Sequence, residues 1–400
     1  MSSPRLSILD VFNRYRLVGG EEQAAGRIRQ HLRQRHQVAE CQFQSTEWTG
    51  PDAPGQLSQA ARLFYNPDGR KRFESAIDTA KPDLAIFHNI FPVGSPALYH
   101  AALRRKLPVI QVLHNYRPFA VGGTLYSRGR ILPDSLRGNY LAEVREGAWM
   151  GSITKSAMMA VLLTLLHRSR WLNSVRTWIA ISDFMRQRLV EAGAVHPDRI
   201  VTLRHAWDAM PHAPERQDAG HYLFLGRLVP EKGIHALLDA WDLLYTQLGK
   251  KTPSLHIAGE GPLNSLVIQR TRTNPYLCSL GQVGGETKAD QLLRCRAVII
   301  PSTWWEPLGL VTYEAYDYAK PVLAARSGGL TETVIQGVTG LTHEPGKPDE
   351  IVRDILAMES MSPTKRTSLG AAGRNWLRRE ADPGRWLREF EAIAQSAIGG

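Results

Sequence analysis

The feature that most constrains the fold of this chain is an alternation of short apolar runs with helical patterns, which occurs twice along the sequence. In the first half, the apolar runs lie near residues 6–12, 38–44, 83–89, 108–114, 178–182 and 200–205. In the second half, they lie near residues 221–226, 254–259, 276–280, 297–301, 321–325 and 340–343. Apolar strands separated by helices are typical of parallel sheets that helices cover on both faces. We therefore predict an α/β chain with two doubly wound, Rossmann-like parallel sheets.

The domain boundary is predicted where this pattern restarts. Pro211–Gly220 is polar and contains two prolines, which is typical of a linker. We expect an N-terminal domain over residues 1–210 and a C-terminal domain over residues 211–382. A final helix over about 383–400 is expected to pack back on the N-terminal domain. Ligands of such sheets bind at the carboxyl ends of the strands.

Several protein classes are excluded by composition and by absent motifs. The three cysteines are far apart and form no CxxC, and neither HExxH nor a DxD pair occurs, so we expect no disulfide scaffold and no metal site. The longest strongly apolar stretch, Ala157–Leu166, is about half of the roughly 20 residues that span a bilayer. The N-terminus does not resemble a signal peptide. A cytoplasmic protein, either soluble or peripheral on the inner face of the membrane, is expected.

The densest chemical signal is the segment Pro301–Tyr318, PSTWWEPLGLVTYEAYDY, which follows an apolar strand. A helix is predicted to begin near Gly309, and its first amide groups, including those of Leu310 and Val311, could bind a phosphate. Glu306 on the loop could reach a sugar hydroxyl, and Glu314 one turn inside the helix could reach a ribose. The alternative is that Glu306 caps the helix and Glu314 is a solvated side chain.

Three glycine-containing turns also follow predicted strands. Gly226–Gly233, GRLVPEKG, supplies Arg227 and Lys232, two cations that suit a diphosphate. Gly259–Pro262, GEGP, and Ser327–Leu330, SGGL, place small residues where a ligand could touch the chain. Taken singly, the first is explained by a capped helix start with exposed charges, and the other two are explained by ordinary turns.

The four motifs together resemble the retaining GT-B glycosyltransferases of family 4, the glycosyl transferases group 1. That family has a G-R-x-x-x-x-K-G turn, a G-[DE]-G-P turn, a P-S segment leading to E-P-x-G-x-x-x-x-E-A, and a closing G-G. This chain has them in that order over about residues 221–345. The resemblance implies a GT-B fold, in which two Rossmann-like domains face a cleft.

The resemblance also assigns expected roles on the donor side. Arg227 and Lys232 would hold the donor diphosphate, Glu306 the hydroxyls of the donor sugar, and Glu314 the ribose hydroxyls. Val283 would lie beside the nucleobase, although core packing explains it equally well. The remaining expected donor-side residues are Gly226, Gly259, Glu260, Pro307, Leu308, Gly309, Leu310 and Val311.

In the first half, the loop Leu17–Glu22 is not a GxGxxG dinucleotide fingerprint. It resembles the family's glycine-rich loop, in which Gly19 and Gly20 would approach the donor phosphates, although a plain strand–helix turn is equally compatible.

His114 resembles the family's strand-end histidine near the transferred sugar, and Arg117 would aid the acceptor. A purely structural histidine is the alternative. Arg204–Asp208 departs from the family's Asn-Gly-x-Asp turn, so no ligand contact is predicted there.

The formal net charge of +11 is confined to the first half. Residues 1–213 carry 28 basic and 17 acidic side chains, whereas residues 214–400 carry 21 of each. An apolar stretch with basic ends, Lys155–Trp171, suits a helix lying on an anionic membrane, or else a buried helix with solvated ends. We expect an anionic acceptor or membrane surface as partner, and no nucleic acid, because no nucleic-acid module is recognisable.

The resemblance implies transfer of a sugar from a UDP- or GDP-sugar, with retention, to a saccharide or lipid-linked acceptor in cell-surface polysaccharide, lipopolysaccharide or glycolipid synthesis. No side chain is an evident nucleophile, so we expect the departing phosphate to accept the acceptor proton. Arg227, Lys232 and the helix start would stabilise its charge, so neither a metal nor another cofactor is expected.

Three alternative functions remain open from the sequence. A GT-B relative could act as a sugar-nucleotide epimerase, a phosphorylase or a small-molecule glycosyltransferase, although no pyridoxal lysine signature is seen. A nicotinamide oxidoreductase shares the sheet class but needs GxGxxG. A non-catalytic polyanion-binding module would explain the charge and leave the donor motifs unexplained.

Overall fold

The computed structural model describes residues 4–15, 19–212 and 218–399. Its strands are β1 Ser7–Arg14, β2 Gln37–Gln44, β3 Leu84–Phe87, β4 Val109–Leu113, β5 Tyr126–Ser127, β6 Arg130–Ile131, β7 Val175–Ala180, β8 Ile200–Thr202, β9 Tyr222–Leu225, β10 Leu255–Ala258, β11 Leu277–Gly281, β12 Ala297–Ile300, β13 Val322–Ala325 and β14 Gly340–His343. Its α-helices are α1 Gly20–Arg33, α2 Gln56–Phe64, α3 Pro67–Ala80, α4 Ala97–Arg104, α5 Leu141–Arg145, α6 Ile153–Arg168, α7 Asp183–Glu191, α8 Ile234–Leu248, α9 Asn264–Thr273, α10 Gly285–Arg294, α11 Leu310–Asp317, α12 Leu330–Thr333, α13 Pro348–Ser360, α14 Pro363–Glu380 and α15 Pro383–Gly399.

The first large sheet is parallel, with six strands in the order β2-β1-β3-β4-β7-β8. After β1 the chain builds β2 on one side and then returns to build β3 on the other. The strand order therefore reverses between β1 and β3, which is where ligand-binding residues concentrate in open α/β sheets. Strands β3 and β4 are buried along their whole length, which explains why their sequences are apolar apart from Gln111, whose amide donates to the backbone carbonyls of Phe87 and His88.

The second large sheet is also parallel, in the order β11-β10-β9-β12-β13-β14. This is the 3-2-1-4-5-6 order of dinucleotide-binding folds, and it reverses between β9 and β12. The segments that follow these two strands carry the Gly226–Gly233 and Pro301–Tyr318 motifs. The prediction of two parallel, Rossmann-like α/β sheets is confirmed.

The chain divides into two compact units, each of which holds one of these sheets. The first comprises Met1–Leu125, Leu132–Ala206 and Pro383–Gly400, and the second comprises Tyr126–Ile131 and Trp207–Asp382, within the described residues of each range. In the first unit, α15 packs against α1 and the sheet strands β3, β4 and β7. The β5–β6 hairpin groups with the second unit. Its two-residue strands leave no periodic pattern, so the sequence did not predict it.

The sequence also gave no prediction for helices α2, α3 and α14. Helices α3 and α14 carry many charged side chains and bury glycine and, in α14, arginine, so their apolar periodicity is weak. Helix α2 is short and buries Leu63 alone. Part of the predicted linker, residues 213–217, lies outside the described residues, as do residues 16–18 of the loop before α1. No described helix is both long enough and apolar enough to cross a membrane.

Candidate functional site

The centre of the second unit's site is the carboxylate of Glu306, on the loop between β12 and α11. Its side chain is buried, with only 7% of the residue exposed. It accepts hydrogen bonds from Lys232 Nζ at 2.9 and 2.8 Å, from Ser302 Oγ at 2.9 Å and from Trp304 Nε1 at 2.9 Å. Burial would raise the pKa of Glu306, but the Lys232 ammonium and these hydrogen bonds hold it below its usual value overall. Glu306 is therefore a fixed, ionised acceptor.

Lys232 is brought to Glu306 by the turn that follows β9. It is the last residue of a short 3-10 turn, Pro230–Lys232, and its Nζ lies 5.4 Å from the centroid of the Trp304 ring. An ammonium group has three N–H donors. Two of them are directed at the two oxygens of Glu306, so one donor remains for a further acceptor. Sequence analysis predicted Lys232 and Glu306 as separate ligand contacts, and the structure joins them in one ion pair.

Arg227, the second predicted cation, is placed differently. Its side chain is 62% exposed, and its Nη2 lies 3.6 Å from Glu231 Oε1 within the same turn. A guanidinium so exposed retains most of its hydration and is weakly held by this carboxylate. The site thus offers one half-buried cation that is paired with Glu306, Lys232, and one largely exposed cation, Arg227.

The loop and the helix that follow Glu306 carry a further group of the predicted donor-side residues. Pro307, Leu308 and Gly309 are buried in the loop, and α11 begins at Leu310. Glu314 lies one turn into α11, where its Oε1 is 2.7 Å from Lys288 Nζ on α10. The alternative of a solvated side chain is therefore wrong for Glu314, which is 13% exposed and already paired. The alternative of a helix cap is not seen for Glu306, since α11 has no side-chain cap.

The glycine pair of Ser327–Leu330 supports the Glu306 loop. Gly329 N donates to Glu306 O at 2.7 Å, and Ser327 Oγ donates to Trp304 O. Gly328 has φ +62°, and a Cβ there would overlap the backbone N and O of Glu306. We had predicted these glycines as positions where a ligand could touch the chain. Their observed partner is the backbone that carries Glu306.

The Gly259–Pro262 turn packs in the same way against the Gly226–Gly233 turn. Gly226 N donates to Ala258 O at 3.0 Å, and Leu228 N donates to Glu260 O at 2.9 Å. A Cβ on Gly259 would overlap the carbonyl of Gly226. The Glu260 side chain is exposed, and Val283 is half-buried on the segment between β11 and α10, so full burial in the core does not account for Val283.

In the first unit, a small pocket that is partly open to solvent lies at the carboxyl ends of β3 and β4. It is lined by His88, which follows β3, and by His114, which follows β4. Burial, together with the neighbouring His88 and His205, holds the pKa of His114 well below its ordinary value. His114 is therefore a neutral imidazole at physiological pH.

Glu21, on the first turn of α1, lines the same pocket and was not predicted. Its Oε2 accepts hydrogen bonds from Tyr15 OH and Asn115 Nδ2, both at 2.8 Å. Burial raises the pKa of Glu21, against the hydrogen bond from Tyr15 and the charge of Arg117. Arg117, the predicted acceptor-side residue, is half-buried and also lines this pocket.

The predicted glycine loop contributes less than the residues beside it. Gly19 precedes α1 in an extended conformation, and Gly20 is the first residue of that helix. Leu17 and Val18 of this loop lie outside the described residues. Asp10, a charged residue inside the apolar run of β1, is fully buried in this region and is not among the predicted site residues.

Helix α6 contains the predicted apolar stretch with basic ends. One face is buried through Met159, Leu162, Leu163 and Leu166. The opposite face exposes Ile153, Val161 and Leu165, which are 59%, 52% and 54% exposed. Apolar residues spaced by four and eight positions lie on one side of a helix. The helix is thus half-buried with an apolar outer stripe, so the alternative of a buried helix with solvated ends does not describe it.

Most of the second unit is similar in sequence to known proteins. Residues 207–376 match the family described as Glycosyl transferases group 1. A glycogen synthase of Mycobacterium tuberculosis is 32% identical over 194 residues, which is 44% of this chain and 46% of that protein. The O-antigen chain mannosyltransferase B of Escherichia coli is 28% identical over 206 residues, covering 48% of this chain and 53% of that protein. The chain therefore spans about half the length of the curated relatives it matches.

Among solved structures, Anabaena Alr3699/HepE in complex with UDP and glucose is similar over 98% of this chain and 100% of that chain, with a TM-score of 0.66 and 18% identity. At that identity, the similarity concerns the fold. It covers nearly the whole chain, whereas the match to the glycosyl transferases group 1 family covers residues 207–376.

Proposed function

We propose that this protein is a glycosyltransferase of the retaining GT-B family 4, which transfers a sugar from a UDP- or GDP-sugar to a saccharide or lipid-linked acceptor. The observation that carries the proposal is the Lys232–Glu306 pair in the matched domain, beside the start of α11. Relatives with this domain include a glycogen synthase and an O-antigen mannosyltransferase, and a protein of the same fold binds UDP and glucose. A role in cell-surface polysaccharide, lipopolysaccharide or glycolipid synthesis fits these relatives.

The proposed division of labour assigns the donor to the second unit and the acceptor to the first. Glu306 would accept hydrogen bonds from donor-sugar hydroxyls, since its carboxylate is ionised and held in place by three side chains. Glu314 would bind the ribose, Val283 would border the base, and the turns at Gly226, Gly259 and Glu260 would shape the donor pocket. The amide groups of Gly309, Leu310 and Val311 would bind a phosphate at the helix start.

In the proposed reaction, the bond between the anomeric carbon and the diphosphate breaks, and an acceptor hydroxyl bonds to the same face of that carbon. The departing phosphate takes the hydroxyl proton, so no protein base is consumed. Its charge is stabilised by Arg227, by the remaining donor of Lys232 and by the helix start. These groups can do the work of a divalent metal, so we propose metal-independent transfer.

The test is incubation of the purified chain with radiolabelled UDP-glucose, UDP-galactose, UDP-N-acetylglucosamine and GDP-mannose, with and without EDTA. We expect one donor to raise the melting temperature and to be consumed with release of its nucleoside diphosphate, equally in EDTA. Strict metal dependence would contradict the metal-free mechanism. Binding of polyanions such as heparin without selectivity among the sugar nucleotides would instead favour a polyanion-binding module.

We also propose that the outer stripe of α6 rests on an anionic membrane surface, which is the acceptor-side partner suggested by the charge. Three exposed apolar side chains, Ile153, Val161 and Leu165, form the stripe. Residues 147–182 contain four basic side chains and no acidic one. An apolar stripe beside basic groups matches the interface of an anionic leaflet.

This predicts salt-sensitive binding to vesicles. The chain should co-sediment with vesicles containing 30% phosphatidylglycerol more than with pure phosphatidylcholine, and less at 0.5 M salt, because screening weakens the attraction. Val161→Ser/Leu165→Ser should reduce binding severalfold without loss of fold, since both side chains are exposed. The surface substitution Leu57→Ser, at a residue that is 89% exposed on α2, is the matched control. Equal sedimentation with both vesicle types would contradict membrane binding and would leave a soluble anionic acceptor as the partner indicated by the net charge.

A further inference from the structure

Three buried side chains form a hydrogen-bonded row at the carboxyl ends of the first unit's central strands. Asp10 on β1 lies 3.2 Å from His88 Nε2, and His88 Nδ1 lies 2.8 Å from His114 Nε2. Asp10 and His88 are 0% and 1% exposed, and His114 is 9% exposed. Each residue belongs to a different strand of the sheet or follows one directly. The row therefore depends on the strand order β1-β3-β4.

The carboxylate at one end of the row sets the direction of the hydrogen bonds. Burial would raise the pKa of Asp10, but His88 and Arg29 lower it overall, so Asp10 is ionised and can only accept. His88 Nε2 must therefore carry a hydrogen. Arg29 Nη2 also binds Asp10, at 3.0 Å, and already supplies a cation to this carboxylate. With Arg29 as the compensating cation, the neutral form of His88 gives the row a single arrangement of hydrogens.

The neutral form of His88 then determines the tautomer of His114. A neutral imidazole has one N–H and one lone pair, so Nδ1 of His88 is an acceptor. The 2.8 Å contact requires that the hydrogen come from His114 Nε2. His114 Nδ1 is consequently left with a lone pair. This atom is buried and has no hydrogen-bond partner among the described residues.

The surroundings keep His114 in this form. Its ring stacks on that of His205, with centroids 5.1 Å apart and an interplanar angle of 19°. Burial lowers the pKa of His205 to about 3, so the stacked ring is neutral too. His114 itself lines the pocket that Glu21, Asn115 and Arg117 share. A buried acceptor nitrogen with no partner costs stability unless a ligand donates to it.

We propose that Asp10 and His88 are positioning residues that hold His114 as a neutral hydrogen-bond acceptor, whose Nδ1 receives a hydrogen from a hydroxyl of the bound sugar. The inference rests on the proposed glycosyltransferase function and adds a specificity to it. A lone pair at this position selects a neutral hydroxyl donor. An imidazolium, or the other tautomer, would present an N–H instead and would favour a phosphate or carboxylate at the same place.

The first test is made on the wild-type full chain and needs no substrate. Long-range ¹H–¹⁵N spectra of protein labelled with ¹⁵N-histidine distinguish protonated from unprotonated ring nitrogens. His88→Gln and His114→Gln identify the two rings by loss of their signals. At pH 7.5 we expect both rings to carry hydrogen on Nε2 and a bare Nδ1. A hydrogen on His114 Nδ1 would overturn the proposal.

The second test reverses the direction of the hydrogen bonds in the row. In Asp10→Asn, the carboxamide can donate to His88 Nε2, which turns both imidazoles to the Nδ1–H tautomer, as occurs when the aspartate of a catalytic triad is amidated. We expect the His114 Nδ1 resonance to shift to that of a protonated nitrogen and the transfer rate to fall at least about 10-fold. If the hydrogen bonds reverse in Asp10→Asn and the transfer rate is unchanged, the tautomer of His114 has no role in transfer.

A third comparison guards against loss of fold in the Asp10 variant. In His88→Gln, the amide N–H can donate to Asp10 and the carbonyl can accept from His114, which preserves the direction of the row. His88→Leu preserves the volume and removes both bonds. We expect His88→Gln to transfer sugar at least about 10 times faster than His88→Leu, at equal resistance to urea. Equal rates in the two variants would reject a positioning role for His88.

Failure of this inference is distinguishable from failure of the proposed function. The donor probes are UDP-glucose and GDP-mannose, whose binding is followed by thermal shift in every variant. If the wild type binds and transfers neither these nor other nucleotide sugars, the glycosyltransferase proposal fails, while the spectra still report the row. If the wild type transfers sugar, the variants decide the role of Asp10 and His88.

Discussion

Lys232→Ala is expected to reduce sugar transfer at least about 100-fold, because it removes the cation next to Glu306 that, in the proposed reaction, stabilises the charge of the departing diphosphate. The measurement is initial-rate release of nucleoside diphosphate from the donor that gives the largest thermal shift. Lys251→Ala is the matched control: Lys251 is exposed and precedes β10, at the opposite end of the sheet strands. Full activity in Lys232→Ala, or an equal loss in Lys251→Ala, would contradict the diphosphate assignment.

The same substitution has a cost in stability that the sequence did not indicate. Without Lys232, the buried carboxylate of Glu306 keeps only Ser302 and Trp304 as donors. Breaking a buried ion pair by removing one partner costs about 3 kcal/mol. The double variant Lys232→Ala/Glu306→Gln removes the uncompensated charge, so it should regain most of the free energy of unfolding in urea while remaining inactive. If the double variant regained activity, the loss in the single variant would be one of stability.

Gly328→Ala is expected to have the second largest effect, by displacing the loop that carries Glu306. The new Cβ would overlap the backbone of Glu306, and the residue has φ +62°, which disfavours any side chain. The strain and the overlap together should lower the free energy of unfolding by about 3 kcal/mol or more. Transfer should fall as well, because Glu306 is held by backbone contacts to this turn. The measurements are urea unfolding and the donor-consumption rate.

Gly337→Ala is the matched control for this substitution. Gly337 has φ +73°, close to that of Gly328, but a Cβ there meets nothing within 4 Å. The two variants therefore share the backbone strain and differ only in the overlap. Gly337→Ala should cost about 1 kcal/mol and leave transfer unchanged. If both variants lost stability equally, close packing against the Glu306 loop would not be the reason for the glycine.

The positions of the predicted donor motifs on the fold could be read from the sequence because each follows an apolar strand. Parallel strands of one sheet end at the same edge, so segments after β9, β10, β12 and β13 are neighbours whatever the details of packing. The strand positions themselves followed from local composition. A run that is buried on both faces must be continuously apolar, as in β9 and β12.

What the motif residues contact could not be read in this way. The glycines at 259 and 328 looked like ligand-facing positions, yet backbone atoms of Gly226 and Glu306 occupy the space beside them. A glycine is required wherever any atom comes close, and the sequence does not say whether that atom belongs to a ligand or to the chain. The same ambiguity applied to Glu314, whose observed partner is Lys288.

The sequence by itself thus determined two parallel α/β sheets and the chain positions of the four strand-end motifs of the second unit, because strand burial and turn chemistry are local properties. Only the tertiary structure decided that Lys232 binds Glu306 and that Asp10, His88 and His114 form one buried row. These partners are separated by 74, 78 and 26 positions in the chain. Their contacts depend on the order in which strands assemble, and a hydrogen bond between distant residues leaves no pattern along the chain.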